Sequence, residues 1–592
     1  MEAKLNNSYL AENKNIQLES QCLFIQKWRE LLFQKTINTY QFRLRNSHSI
    51  LKETKEVLEF IKSDVLSPAN LQDLILECRK HLQKDLCLRK HFPELLKSLL
   101  KELKVIRKNE TTKSDILKLE YRLNYALKII SGSYLDKIIN ELEYSISNSE
   151  FANVEILTEF LSTELINTGW SARSLHRLGN VLFLNSKVAF EEKWQRFISI
   201  IKSNPGLFHC YFKLNEFNDQ YTLLESVGMT VVKGEDILIS FPNINDNHID
   251  KDAFYIEEKA AAFNEDLHTA AEKSRNQLSE KQSILAYYKV DLGAFNNVIL
   301  VFPSEEKSVN YEILKKELPL ENSQLENINT IRSVLANESI DIKSRQRLMN
   351  FFRQYNLSVE SLSTETKFTN LWSALESLLI TGHHESNIEH IKKIVPSAVC
   401  SEYFQRLLLN FLNDCYRAGI TVKYNGEIIN TSSPTIEDIE KVYFLLTDEV
   451  SVEIFKSEIN DYTLLKQRII ELSHDLSNSE TFKESISNHF NNLTWHIQRL
   501  YRVRNNLVHA ARTEKDISFL IEHLHFYLRY TIELIINKFK DFQFNSLGEL
   551  FMTIEDNYYS LIAVLEDNIR NSPKGQIISY DSELIFKGPI FI

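Results

Sequence analysis

The chain has 592 residues, 43% of them hydrophobic, a formal net charge of −11 and a sequence pI of about 5.9. That length supports three or more domains, and the acidic balance excludes a surface that draws nucleic acid everywhere, so a phosphate site has to be a local basic patch. Only 13 glycines occur, none grouped as GxxxxGK[ST] or GxGxxG, which argues against a P-loop or a dinucleotide fold because both need glycine where backbone approaches phosphate.

The opening residues, MEAKLNNSYLAENKN, lack the charged-then-apolar pattern of a signal peptide. No window approaches ~18 uninterrupted apolar residues, so no membrane contact is expected. Six scattered cysteines, with no CxxC pair, fit a reducing cytoplasm. From Ser20 to Phe197 the pattern is helix after helix. Leu51, Val57, Leu58 and Ile61 repeat at helical spacing, and Ser67 with Pro68 reads as the start of the next helix. The runs 92–108 and 136–146 continue the series. The first 200 residues are therefore expected to form a helical bundle.

Strand signals follow Pro205: FHCYFKL (208–214), MTVVKGEDILISFP (229–242), AYYKVD (286–291) and NNVILVFP (296–303) are short β-branched and aromatic runs between Gly, Asn and Pro. The stretch 252–282 between them reads as one long helix. Residues 201–321 thus predict a small α+β domain. Helical patterns return over 345–356, 368–382, 389–396, 403–419, 435–473, 481–512 and 515–541, which assigns 322–545 to a helical domain. The tail 546–592 predicts a helix and a β-hairpin, the hairpin over 575–592. The fold class is mainly α, multi-domain, with a small α+β insert.

The stretch RLYRVRNNLVHAAR (499–512) lies in a run, Ser485 to Thr513, without a single carboxylate, although the chain carries 80 acidic residues. Leu493, Ile497, Leu500, Leu507 and Ala511 make an apolar stripe that anchors one face. Arg499, Arg502, Arg504 and Arg512 are then expected to project as a cationic strip suited to phosphate, with Asn505 and Asn506 as uncharged donors. His509 adds a group that exchanges a proton near neutrality. Together these residues suit RNA cleavage by the neighbouring 2′-OH, which needs a base, an acid and positive charge at the phosphorus, and no metal.

RNNLVH, Arg504 to His509, is Arg, four residues, His, with a polar residue directly after the Arg. It resembles the signature of the HEPN superfamily, helical domains many of which are metal-independent endoribonucleases. FTNLWSALESLLI (368–380) followed by IEHIKKIVP (388–396) is similar to the opening helix pair of the ApeA-like branch of bacterial anti-phage proteins. The resemblance covers about Asn322 to Lys540 and implies a C-terminal HEPN helical bundle. It implies that Arg504 holds the scissile phosphate, that His509 transfers protons, that Asn505 orients one of them or the substrate, and that Glu376 supports an Arg or His. It further implies a homodimer or higher homo-oligomer in which two motifs face each other, an RNA substrate such as tRNA, a phage-derived trigger, abortive infection as the outcome, and no cofactor.

On an ideal helix, residues five apart lie ~140° around the axis, so Arg504 and His509 do not share a face, whereas Arg502 and His509 do. Arg502 therefore stays as the alternative to Arg504. One branch of the superfamily carries a modifiable tyrosine two residues after the His. Ala511 stands there in this chain, so that control is not implied. The other readings are a non-catalytic HEPN scaffold that only binds RNA or protein, and a helical-repeat adaptor. GHHESNIEH (382–390), with His383, His384 and His390, matches no metal template and reads as a polar loop and helix cap.

Overall fold

Apolar residues at three- and four-residue spacing fold into helices through most of the chain, and among the described residues a five-stranded antiparallel sheet and a short ladder of Lys423–Tyr424 with Glu427–Ile428 interrupt them. The computed structural model describes all residues except 1–4, 33–44, 64–65, 69, 106–111, 215–220, 243–248, 289–297, 304–309, 314–321, 362, 460, 511–516, 572–580 and 592. The side chains of a few bordering residues, His509 among them, lie outside that description too. Among the described residues no helix is long and apolar enough to cross a membrane.

The chain divides into two compact units. The first joins Met1–Glu164 with Asn322–Val359 and Phe368–Ile592, and the second is Leu165–Glu321 with Glu360–Lys367. The N-terminal helices and the helices after 368 therefore share a unit. Local sequence sets their ends: reciprocal capping boxes start Ser47–Lys62 (Asn46 with Ser49), Lys113–Ile130 (Thr112 with Asp115) and Ile436–Thr447 (Thr435 with Asp438). Helix Asn387–Ser401, buried along most of its length, packs among Ser479–Ala510, Ser518–Asp541 and Leu547–Asn571. Within this unit helix Glu19–Leu32 is held to helix Thr463–Leu476 by charge as well as by packing. Arg468 ion-pairs with Glu30 (2.7 Å), Glu155 (3.0 Å) and Glu471 (2.6 Å), and Lys27 adds a contact to Glu30 at 3.0 Å. Burial raises the Glu30 carboxyl, but Arg468 and Lys27 outweigh it and hold the group down at about 2.

The second unit contains a five-stranded sheet in the order β2-β3-β1-β4-β5, every neighbouring pair antiparallel. The strands are β1 (Pro205–Lys213), β2 (Thr230–Lys233), β3 (Phe254–Phe263), β4 (Val298–Pro303) and β5 (Asn310–Ile313). The two-residue period separates its faces. Phe208, Cys210, Phe212, Ile256, Ile299 and Val301 pack with Ala270, Leu278 and Leu285 of helix Leu267–Tyr287. Tyr211, Tyr255, Leu300 and Phe302 pack on the opposite face with Ile237 and Ile249.

Four local expectations change. Residues 252–282 are not one helix: Phe254–Phe263 is a strand paired on both sides, and the helix begins at Leu267 behind the Asp266 cap. The Ala260-Ala261-Ala262 run favours helix locally, but the strand containing Gly206 to Phe208 supplies its ladder partners and overrides it. Residues 229–242 supply strand β2 and then helix Gly234–Ser240, where a Cβ on residue 234 would collide with the Asp250 carbonyl oxygen. The strand expected at 286–291 gives way to the end of helix Leu267–Tyr287 at its start, while 289–291 lie outside the described residues. In the tail, Ser582–Lys587 is a helix rather than part of a hairpin, because Asp581 caps it and Ile585 and Phe586 are buried. Asn557 then fixes the chain by bonding the Lys587 carbonyl and the Ile590 amide.

Candidate functional site

Helix Ser479–Ala510 carries the RNNLVH motif. Its apolar stripe is as expected where described, with Leu493, Ile497, Leu500 and Leu507 buried. Two of its histidines are core groups. His489 stacks on Tyr403 with centroids 4.0 Å apart, and His496 places Nδ1 3.0 Å from the Tyr527 hydroxyl.

The cationic strip does not form as expected. Arg499 and Arg502 are 8% and 5% exposed and point into protein. Arg499 pairs with Glu53 through Nε (3.2 Å) and with Glu77 through Nη2 (2.8 Å), while Arg502 donates to Glu53. Arg45 joins them, paired with Glu53 and 3.7 Å from Glu77. Burial pushes Arg502 down to about 10, with Arg499 adding to the effect, and burial also lowers Arg499 against the pull of Glu77. The carboxylates missing from the window thus come from helices Ser47–Lys62 and Asn70–Lys84, far away in the chain. With its guanidinium held there, Arg502 is not available to a substrate.

Arg504 is different. Its side chain is 29% exposed and its Nη2 lies 3.7 Å from Glu376, which is 19% exposed. Its Nη1 donates to the Asn505 side-chain oxygen at 3.1 Å. Helix Thr364–Leu379 brings Glu376 there by packing turn on turn: Trp372, one turn before Glu376, meets Tyr501, one turn before Arg504, with ring centroids 5.9 Å apart. Arg504, Asn505 and Glu376 are thus brought together, with Asn505 buried and Asn506 half-buried. Backbone of His509 is helical, its side chain lies outside the described residues, and so does the whole of Arg512. The arrangement offers an anion one accessible guanidinium, positioned by a carboxylate on one side and an amide on the other.

Helix Asn70–Lys84 lies along the same long helix. Gln498 donates to Asn70, Lys80 bonds Asn488 at 3.0 Å and sits 5.3 Å from the centre of the Trp495 ring. The residues that sequence reasoning missed, Arg45, Glu53 and Glu77, had one available signal. Glu53 falls three residues after buried Ile50 and four before buried Val57, and Glu77 three after Leu74. A carboxylate on an apolar stripe predicts a buried cation.

The histidines of GHHESNIEH also converge. His383, His384 and His390 each place a ring nitrogen within 4.8 Å of the others. The Ser386 side chain makes no capping bond, so the expected helix cap is not what organises this loop. Compared with family models, with curated proteins and with solved structures, the chain matches none.

Proposed function

We propose that this chain is a metal-independent endoribonuclease of HEPN type that cuts cellular RNA, tRNA being one candidate, in anti-phage abortive infection. The observation that supports it most is the meeting of Arg504, Asn505 and Glu376, three residues of the resembling motifs drawn from two helices. In the reaction a base takes the proton of the 2′-OH, the freed oxygen attacks phosphorus, and the bond from phosphorus to the 5′-oxygen breaks as that oxygen receives a proton. His509 serves one of the two proton transfers. Arg504 stabilises the charge on the phosphoryl oxygens, and Glu376 and Asn505 position Arg504. The products are a 2′,3′-cyclic phosphate and a 5′-hydroxyl. A homodimer, or a higher homo-oligomer, supplies a second motif, cytoplasmic location gives access to RNA, and a phage-derived trigger releases activity.

The test uses purified full-length chain, RNA and infected-cell extract across pH 6–8 without added divalent ions. Cleavage is expected on RNA and not on 2′-O-methylated RNA of the same sequence, and His509→Ala is expected to lose cleavage while keeping RNA affinity. No cleavage of any RNA under these conditions, or equal cutting of the methylated strand, would refute the reading.

The burial of Arg499 and Arg502 favours one second reading, a non-catalytic HEPN scaffold, since it removes two expected phosphate contacts. Such a scaffold binds RNA or protein, and no variant of Arg504 or His509 then alters a cleavage signal.

A further inference from the structure

Three imidazoles meet where the turn after helix Thr364–Leu379 leads into helix Asn387–Ser401. Gly382, at φ 98°, turns the chain so that His383 and His384 fold back on His390, which is 1% exposed on the first helical turn. Ring centroids are 5.2 Å (His383 to His384), 5.0 Å (His383 to His390) and 4.8 Å (His384 to His390) apart. Packing alone leaves a defect in this cluster. The Nε2 of His390 accepts the His384 backbone N–H at 3.2 Å, and its Nδ1 is buried with no hydrogen-bond partner among the described residues, a cost that a native interior rarely carries without a ligand or water.

The surroundings match the outer shell of a metal site. Glu555 of helix Leu547–Asn571 holds His384 Nε2 at 2.8 Å, which orients the ring and leaves Nδ1 as its ligand atom. Thr381 Oγ1 is 2.9 Å from His383 Nδ1 and 3.4 Å from its Nε2, which fixes that ring at the edge of the cluster.

We propose that His383, His384 and His390 bind one divalent transition-metal ion of the zinc class, with Glu555 as the carboxylate partner of His384 and water in the fourth position. Three neutral imidazoles select a borderline metal over magnesium or calcium, which take oxygen ligands. Zinc–nitrogen bonds of ~2.0–2.1 Å in a tetrahedron set ligand atoms ~3.4 Å apart. The nitrogens therefore close by at most about 1.4 Å, a movement within reach of two rings on a turn. Lys393, whose Nζ lies 3.5 Å from His384 Nδ1, withdraws its long side chain toward solvent as the ion enters. The ion ties the 381–386 turn to the helices carrying His390 and Glu555, and so clamps the end of the helix that presents Glu376. The proposal stands apart from RNA cleavage and is tested without it.

Full-length chain is stripped with a chelator, desalted and titrated with Zn(II) against a chromophoric competitor, while the unfolding temperature is followed. One zinc per chain and a raised unfolding temperature are expected, with Mg(II) giving neither. His383→Ala, on the partly exposed turn, should keep its fold by circular dichroism and lose the zinc-dependent rise, and Glu555→Gln should bind ~10–100-fold more weakly. His384→Ala provides a second loss variant if His383→Ala proves unstable. Stoichiometry and affinity unchanged in both histidine variants would overturn the proposal, as would no zinc retained by wild-type chain at micromolar concentration.

Discussion

Arg504→Ala is expected to lower RNA cleavage by about 10²–10³-fold, the effect of removing one preorganised charge donor from a transition state. Binding should change far less. One phosphate contact is lost, so the slope of log affinity against log salt should fall by about 0.7 for single-stranded RNA. Arg504→Lys should recover little, because an ammonium cannot reproduce the planar fork that faces both Glu376 and Asn505. Glu376→Gln keeps the shape and removes the charge that draws the guanidinium into place, so a loss of about 10-fold is expected, carried by kcat rather than KM. Combined with Arg504→Ala it should add nothing, since a positioning residue has no effect once the residue it positions is gone. Single-turnover cleavage of a short end-labelled RNA measures all four variants. Arg504→Ala cutting within twofold of wild type would remove this residue from the chemistry, and Arg502 would not replace it, since its side chain is committed to Glu53.

What could be read from the sequence follows the range of the interactions involved. Helices such as Ser47–Lys62, Tyr403–Ala418 and Ser479–Ala510 were legible because caps and apolar stripes are local. Strand β3 was not, because Ala260 to Ala262 carry no strand preference of their own and owe their conformation to the ladder with β1. The same division runs through the candidate site. Arg504 and Asn505 are adjacent, and Glu376 lies in a motif with its own signature, so a pattern could point to them. The fate of Arg499 and Arg502 was decided by Glu53 and Glu77, more than 400 residues earlier. No window around the arginines contains that information. The histidine cluster was hidden for a different reason: its spacing of one and six residues fits no template, and the turn at Gly382 makes it compact.

The second large effect is on stability, and it comes from the same buried arginines. Arg45, Arg499 and Arg502 bring three positive charges into one interior region, and Glu53 and Glu77 bring two negative ones. Two nitrogens of Arg502 and one of Arg45 have no hydrogen-bond partner among the described residues. Glu77→Gln should therefore destabilise the chain by about 3–5 kcal/mol, the cost of leaving buried charge uncompensated. Arg502→Met, which removes the surplus charge with similar volume, should offset part of that loss in the double variant. Burial, aided by this positive charge, also lowers the neighbouring histidines. Burial, aided by Arg45 and Arg499, holds His81 down to about 4 against Glu77; burial and Arg499 hold His523 to about 3; burial, then His523 and Arg499, hold His496 well below its usual value. Such groups take up their protons first in the unfolded chain. Stability from them is complete above about pH 6.5 and declines as pH falls from there toward the folded values. His496 and His523, the two that are buried, give a slope of about 2.5 kcal/mol per pH unit near pH 5.5. Glu77, held below its usual value chiefly by Arg499 and Arg45 against the effect of burial, adds its own loss only below the carboxylate range of about 4.5. Urea unfolding at pH 5.5, 6.5 and 7.5 separates the contributions. The wild type should weaken steeply between the two lower values, and a flat profile would mean that these histidines are not buried neutral beside the arginines.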